Sequence, residues 1–237
     1  MLKKVDPKQD FVKLEHEVLK FWEDKEIFKK YQARNAKSDK HWTFQDGPIT
    51  ANNPMGVHHA WGRTLKDVFQ RFKNMQGYQE RFQNTFDCQG LWVEVEVEKE
   101  LGFKNKKDIE KYGVDKFVNK CKERVNKYAK IQTEQSIRLG QFMDWDESYY
   151  TMSEENNYAI WHFLKKCHER GYLYKGRDSV PWCGRCGTAI SQHEILTEEY
   201  KELVHTAVYF RLPLQSKEFA NTSLLVWTTT PWTVPAN

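Results

Sequence analysis

GPITANNPMGVHHAWGR, residues 47–63, is a glycine-rich loop that joins a β-type run to a helical one. Before it, HWTFQ (41–45) is a short aromatic and β-branched run, and Gly47-Pro48 breaks it with a turn signal. After it, Ala60 to Met75 carries Leu65, Val68, Phe69 and Phe72 at helical spacing. The unit is therefore strand, loop and helix. Within the loop, Gly47, Gly56 and Gly62 allow close backbone approach, the coming helix offers unpaired N–H groups, and His58 and His59 can donate to phosphoryl oxygens. In outline this is a nucleotide site, although no Walker pattern is present and a pair of loop histidines is more often simple packing.

Working outward, residues 10–32 place Phe11, Leu14, Val18 and Trp22 at steps of three and four, which predicts one amphipathic helix whose apolar face packs. Tyr78–Phe86 reads as a second strand. Gly90–Leu101 is ambiguous: VEVEVE alternates as a strand does, while Leu91 and Leu101 around it suit a helix. Residues 108–139 form a long charged helix with Ile109, Phe117, Val118, Val125 and Ile137 as its apolar positions, and Glu154–Arg170 forms another that stops at Gly171. From Leu203 the runs LVHTAVYFRL and SLLVWTTT are β-type and bounded by Pro213, Pro231 and Pro235, so a boundary is expected near 195–203. There is no internal repeat and no low-complexity segment.

The chain has 237 residues, 39% of them hydrophobic and 14% aromatic, enough for a substantial core in one or two domains. No apolar run approaches a membrane span, and MLKKVDPKQDF has no apolar stretch behind it, so a cytoplasmic location without membrane attachment is expected. Thirty-seven Lys and Arg against 33 Asp and Glu give +4, too even a balance to announce a nucleic-acid partner. Five cysteines, an odd number without a regular framework, point to reduced thiols.

Three further groups carry candidate chemistry. Asp87 can hold an ammonium by a charge-assisted hydrogen bond, or can be a helix N-cap. Cys183 and Cys186, with Gly184 and Gly187 freeing the backbone between and after them, supply half of a tetrahedral zinc site, with His193 an optional third ligand. Thr228, Thr229 and Thr230 cluster hydroxyls at a strand edge beside Pro231, which is expected to force an extended path; consecutive threonines are also ordinary strand residues.

Five blocks in order resemble the isoleucyl members of the class I aminoacyl-tRNA synthetases. GPITANNPMGVHHAWGRTLKD resembles the HIGH signature loop, which falls on Gly56-Val57-His58-His59, with Gly56 in place of the first histidine. FDCQGLWVEVEVEKELG resembles the block that contributes an aspartate, matched by Asp87; Gln89 and Trp92 depart from its usual His and Pro. MDWDESYYTM resembles the Asp-Trp-x-x-x-Tyr-x-Thr-Met block, WCGRCGTAIS the connective-peptide zinc knuckle, and WTTTPWTVPAN the threonine-rich editing peptide. Together they span residues 42–237. Thr230-Pro231-Trp232, where valyl and leucyl enzymes carry an arginine after the paired threonines, and Asp144-Trp145 both favour the isoleucyl form.

The resemblance implies an α/β fold. Residues 1–180 would be the first part of a Rossmann-type catalytic domain, 181–200 the zinc knuckle, and 201–237 the start of a β-rich editing domain. It implies ATP-dependent activation of isoleucine, transfer to tRNA(Ile), and hydrolysis of mischarged valyl-tRNA by a monomeric enzyme. ATP would enter with Mg2+; Gly56, His58 and His59 would meet its phosphates, and Gly47, Pro48 and Asp87 would contact isoleucine. Thr228, Thr229, Thr230 and Trp232 would line the editing pocket. Cys183 and Cys186 would join two further cysteines around Zn2+ in a longer protein. Editing is needed because one methylene is worth only ~1–3 kcal/mol, a magnitude for which isoleucyl enzymes are themselves the usual worked example. The second class I signature, KMSKS, does not occur in these residues, so the segment alone is expected to be inactive. The rivals are a valyl or leucyl synthetase and, in another class, a non-catalytic zinc-ribbon module that binds nucleic acid. His59 and Asp87 are expected at the carboxyl ends of adjacent parallel strands, facing one cleft.

Overall fold

The structure is a computed structural model that describes residues 7–192, 194 and 202–236. The N-terminal segment forms α1 (Phe11–Asp24), whose N-cap Asp10 accepts the N–H of Lys13 at 3.1 Å, and α2 (Ile27–Ala33). The single helix expected over 10–32 is thus two, broken where Glu26 turns left-handed at φ 50°. The face expected to pack is only partly used. Phe11, Leu14 and Val18 are exposed, whereas Trp22, Phe28 and Tyr31 pack on Phe82, Phe142 and Met143.

The strand entering the loop is also interrupted. β1 (His41–Gln45) and β2 (Ile49–Thr50) lie along the same edge of β3 (Gln79–Asp87), all parallel. Gln45 faces Gln83 and Ile49 faces Phe86, so the edge carries one extra residue there, as a bulge does. Pro48 has no N–H to give to a ladder, which makes this edge position the place for it. Buried Asp46 fills the gap: its N–H donates to Gln83 O at 3.0 Å and its C=O accepts the hydroxyl of Thr85. On the other edge of β3 runs β4 (Asp144–Tyr150), also parallel. The order β1/β2–β3–β4 makes a parallel sheet with β3 at its centre.

The connections are helical. α3 (Val57–Met75) links β2 to β3; α4 (Leu91–Glu100), α5 (Lys107–Tyr112) and α6 (Val114–Arg138) link β3 to β4. The ambiguous VEVEVE run is helix: Val93 and Val97, four apart, are both buried, and Glu98 beside them is held by Lys106 at 2.7 Å and Arg185 at 3.2 Å. Gly90 precedes it at φ 110°, a conformation open to glycine. Gly113, at φ 106°, breaks the helix expected over 108–139 into α5 and α6. One core cluster joins Ala51, Phe86, Cys88 and Val93 to Val125 and Ala129 of α6.

α3 has the expected period with the opposite face inward. Leu65, Val68, Phe69 and Phe72 are exposed, while Arg63, Gln70 and Asn74 are buried. The polar face goes inward because it meets backbone and charge there. Arg63 donates to Asn84 Oδ1 at 2.9 Å and Gln141 Oε1 at 3.1 Å, and Gln70 donates to Phe142 O at 2.5 Å.

α7 (Glu154–Glu169) follows β4, capped by Ser153 and stopped at Gly171 with φ 73°. A short hairpin, β5 (Trp182–Cys183) with β6 (Thr188–Ala189), comes next. The chain divides into two compact units between Thr188 and Ala189; much of the expected boundary region, 195–203, lies outside the described residues. The second unit contains β7 (Val208–Pro213) antiparallel to β8 (Ser223–Thr228), then a 3-10 helix, Pro231–Ala236. Pro231 therefore opens a 3-10 turn, which corrects the extended path expected for it: its fixed φ suits a first helical position as well as a strand end.

Candidate functional site

The parallel sheet ends at Thr50 on β2 and at its neighbour Asp87 on β3, and these two are joined: Thr50 Oγ1 donates to Asp87 Oδ2 at 3.3 Å. Asp87 is half-buried, and its C=O accepts the N–H of Ala51 at 2.9 Å. A carboxylate is thereby fixed at the carboxyl edge of a parallel sheet, where open α/β folds bind ligands.

From Thr50 the loop runs to Gly56, the N-cap of α3. Gly56 O accepts the N–H of His59 at 3.0 Å and of Ala60 at 3.1 Å, while Gly56 N–H donates to His59 Nδ1 at 3.1 Å. Neither Val57 N–H nor His58 N–H has a backbone acceptor among the described residues, and no acidic residue sits in the first turn. The turn offers two free donors at the positive end of a 19-residue helix, which favours an anion. His58 and His59 lie ring to ring, with centroids 3.8 Å apart. A Cβ at Gly56 would come within 2.9 Å of the His58 ring, so glycine suits this position. Burial, followed by His58 and Arg63, lowers the His59 pKa below the usual 6.5, which keeps the imidazole neutral near pH 7. An open cleft of about 430 Å³ adjoins this turn, lined by Met55, Gly56, Val57, Gln135 and Arg138.

His59 belongs to the first turn of α3 and not to a strand, which corrects the expectation that it ends a strand beside Asp87. The physical reason is that β2 ends at Thr50 and the loop from Ala51 runs to Gly56, the N-cap of α3, so the signature falls on the helix that follows. Gly47 and Pro48 are exposed at the bulge between β1 and β2.

The family model for class I tRNA synthetases (I, L, M and V) matches residues 17–234. The chain belongs to that family. It is 42% identical over 236 residues to the isoleucine--tRNA ligase of Streptomyces coelicolor, covering 99% of this chain and 22% of that protein. It is 41% identical over 238 residues to the isoleucine--tRNA ligase of Clostridium acetobutylicum and 40% over 239 residues to that of Sulfolobus acidocaldarius, again covering 22% of each. The chain thus spans about a fifth of the length of these relatives. Its fold is similar to that of a LeuRS from Agrobacterium radiobacter K84, solved in a ternary complex with tRNA and LeuAMS. That likeness has TM-score 0.57 at 15% identity and covers 75% of this chain and 20% of that one.

In this class I chain the separate sequence blocks are physically tied. Thr151 of the third block receives the N–H of Cys88 at 2.9 Å on its hydroxyl, and the same hydroxyl bonds Gln89 Oε1. Gln89 Nε2 donates to Thr151 O at 2.9 Å, so the residue that departs from the usual histidine anchors the Asp87 segment to the end of β4. Sequence reasoning missed this role, and it missed the side chains of α6 that grip the loop.

Cys183 and Cys186 come together in the β5–β6 hairpin, where Cys186 N–H donates to Cys183 Sγ at 3.4 Å. That N–H is the main cause holding the Cys183 thiol below its usual range. Among the described residues no three His, Cys, Asp or Glu side chains could hold a metal ion, and His193 lies outside them. Two thiols are half of the four-ligand shell that structural zinc requires, so the ligands present do not make a zinc site.

In the second unit Thr228 ends β8, and its hydroxyl accepts the N–H of Thr230 at 3.0 Å. Thr230 O accepts the hydroxyl of Thr233 at 2.8 Å, and Trp232 is exposed. The threonines are assembled into one turn, with Thr229 between them. Among the described residues no helix is long and apolar enough to cross a membrane.

Proposed function

We propose that this chain is the amino-acid-activating part of an isoleucine--tRNA ligase that condenses isoleucine with ATP to isoleucyl-adenylate and pyrophosphate and then charges tRNA(Ile). The observation that carries this reading, in a class I chain, is Asp87 bonded to Thr50 at the carboxyl ends of two parallel strands, with the loop that leaves Thr50 leading to the Gly56–His59 turn of α3. The N–H groups of Val57 and His58 and the neutral imidazole of His59 would meet the triphosphate that arrives with Mg2+. Asp87, steadied by Thr50, would hold the ammonium of isoleucine, with Gly47 and Pro48 beside it, and so direct the carboxylate at the α-phosphate.

Identities near 40% along the whole chain to isoleucine--tRNA ligases favour isoleucine over the valyl and leucyl alternatives, as does Thr230-Pro231-Trp232. The hydroxyl turn of Thr228–Thr230 with Trp232 would belong to the pocket that hydrolyses valyl-tRNA. Cys183 and Cys186 would be completed as a Zn2+ knuckle only by ligands from elsewhere in a longer protein. We further infer a monomer acting in the cytoplasm. The test is aminoacylation by the full-length protein with each amino acid in turn: charging of tRNA(Ile) with isoleucine supports the reading, and preferential charging with leucine or valine contradicts it.

A further inference from the structure

α6 carries Arg124, Gln132 and Gln135 at steps of eight and three, which keep all three on one helical face. That face meets the loop between β2 and α3. The Arg124 side chain is 6% exposed. Its Nε donates to Asn52 Oδ1 at 2.9 Å, and its Nη2 donates to Asn52 O at 2.8 Å and to Asn53 Oδ1 at 3.1 Å. Glu100, bonded to Nη1, and Glu96 at 3.7 Å balance the charge. Gln132 Nε2 donates to Thr50 O at 3.0 Å and to Asn53 O at 2.8 Å, and Gln135 Oε1 accepts the N–H of Met55 at 2.7 Å.

The carbonyls of Thr50, Asn52 and Asn53 and the N–H of Met55 therefore terminate on side chains of one distant helix. An irregular loop has no ladder of its own and needs such partners where it is buried. Asn52 is buried, and its own Nδ2 reaches Trp92 O at 2.9 Å. The last residue before α3, Gly56, then closes on His59. The fork of a guanidinium is required here: three bonds to two residues leave along fixed directions that a lysine cannot reproduce.

We propose that Arg124 and Gln132 are positioning residues for the nucleotide loop, holding Asn52–Met55 so that the first turn of α3 is aimed at the phosphates of ATP. This rests on the activation reading given above. Neither residue touches substrate; each acts through the backbone it holds.

The variants are Arg124→Lys, which keeps the charge, and Gln132→Ala, with Glu123→Ala on the exposed side of α6 as control. Backbone hydrogen exchange in this chain is expected to quicken about tenfold or more at the amides of Ala51, Asn52, Asn53, Met55 and Gly56 in the first two, with α7 and β7–β8 unchanged. In the full-length synthetase, kcat for isoleucine-dependent ATP–pyrophosphate exchange is expected to fall about tenfold or more, with KM for isoleucine within about twofold. A loop as protected as wild type in both variants overturns the clamp. A loosened loop with wild-type kinetics for ATP overturns its part in the reaction. Wild-type protein that activates no amino acid overturns the activation reading instead, and hydrogen exchange still decides whether α6 holds the loop.

Discussion

The backbone N–H of Gly56 donates to Nδ1 of His59, three residues ahead on the same turn. The bond does two things at once: it satisfies one of the orphan donors at the start of α3, and it makes Nδ1 an acceptor, so the neutral ring carries its proton on Nε2. The signature histidine is thus both the cap of its own helix and a donor facing away from it.

Protonation must break that bond, since an imidazolium has no acceptor nitrogen. His59 titrates below the usual 6.5, because of burial first and then His58 and Arg63. The unfolded chain therefore takes the proton before the folded one. Stability from this residue is complete above about pH 6.5 and is lost as the pH falls through the folded value. Nitrogen-15 NMR is expected to find the Nε2–H tautomer with a midpoint below 6.5; a midpoint above it, or the Nδ1–H tautomer, contradicts the cap.

Asp87→Ala in the full-length enzyme should remove a charged partner from the ammonium of isoleucine. Transition-state stabilisation in isoleucine-dependent ATP–pyrophosphate exchange should fall by about 2–4 kcal/mol. Exchange within about threefold of wild type would show Asp87 to be a partner of Thr50 and nothing more.

Gly90 sits at φ 110°, ψ 171°, a region that residues with a Cβ avoid. Nothing lies within 4 Å of a Cβ built there, so the cost of Gly90→Ala is purely conformational. Denaturant melts of this chain should report a loss of about 1–3 kcal/mol. An unchanged midpoint would mean that α4 starts without that strain.

Thr229 and Thr230 lie in the second compact unit, whereas Gly56, His59 and Asp87 lie in the first. Replacing both threonines by alanine in the full-length enzyme should leave isoleucine activation unchanged and slow deacylation of preformed valyl-tRNA. Wild-type deacylation would make them turn residues only, in the turn closed by the Thr230 N–H on the Thr228 hydroxyl.

Much of this was legible in the chain because it is local. Glycines, prolines and helical periods placed β1, α3, β3 and α7 and set Asp87 at the end of its strand. What was not legible is set by long-range partners. DWDESYY is too polar to announce a strand and becomes β4 by pairing with β3. Leu65, Val68, Phe69 and Phe72 gave α3 its period but not its inward face, because Arg63 and Gln70 found buried acceptors. Arg124 and Gln132 read as part of a solvated, charged helix, and only the fold discloses that the loop closes on them.

We propose that the first turn of α3 and Asp87 form one site that activates isoleucine with ATP. The most direct measurement is kcat/KM for ATP–pyrophosphate exchange by the full-length protein with isoleucine, valine and leucine, repeated with His59→Ala. Isoleucine is expected to be preferred to both, and His59→Ala to lower kcat for isoleucine. Exchange that prefers leucine or valine, or that is indifferent to the loss of His59, contradicts it.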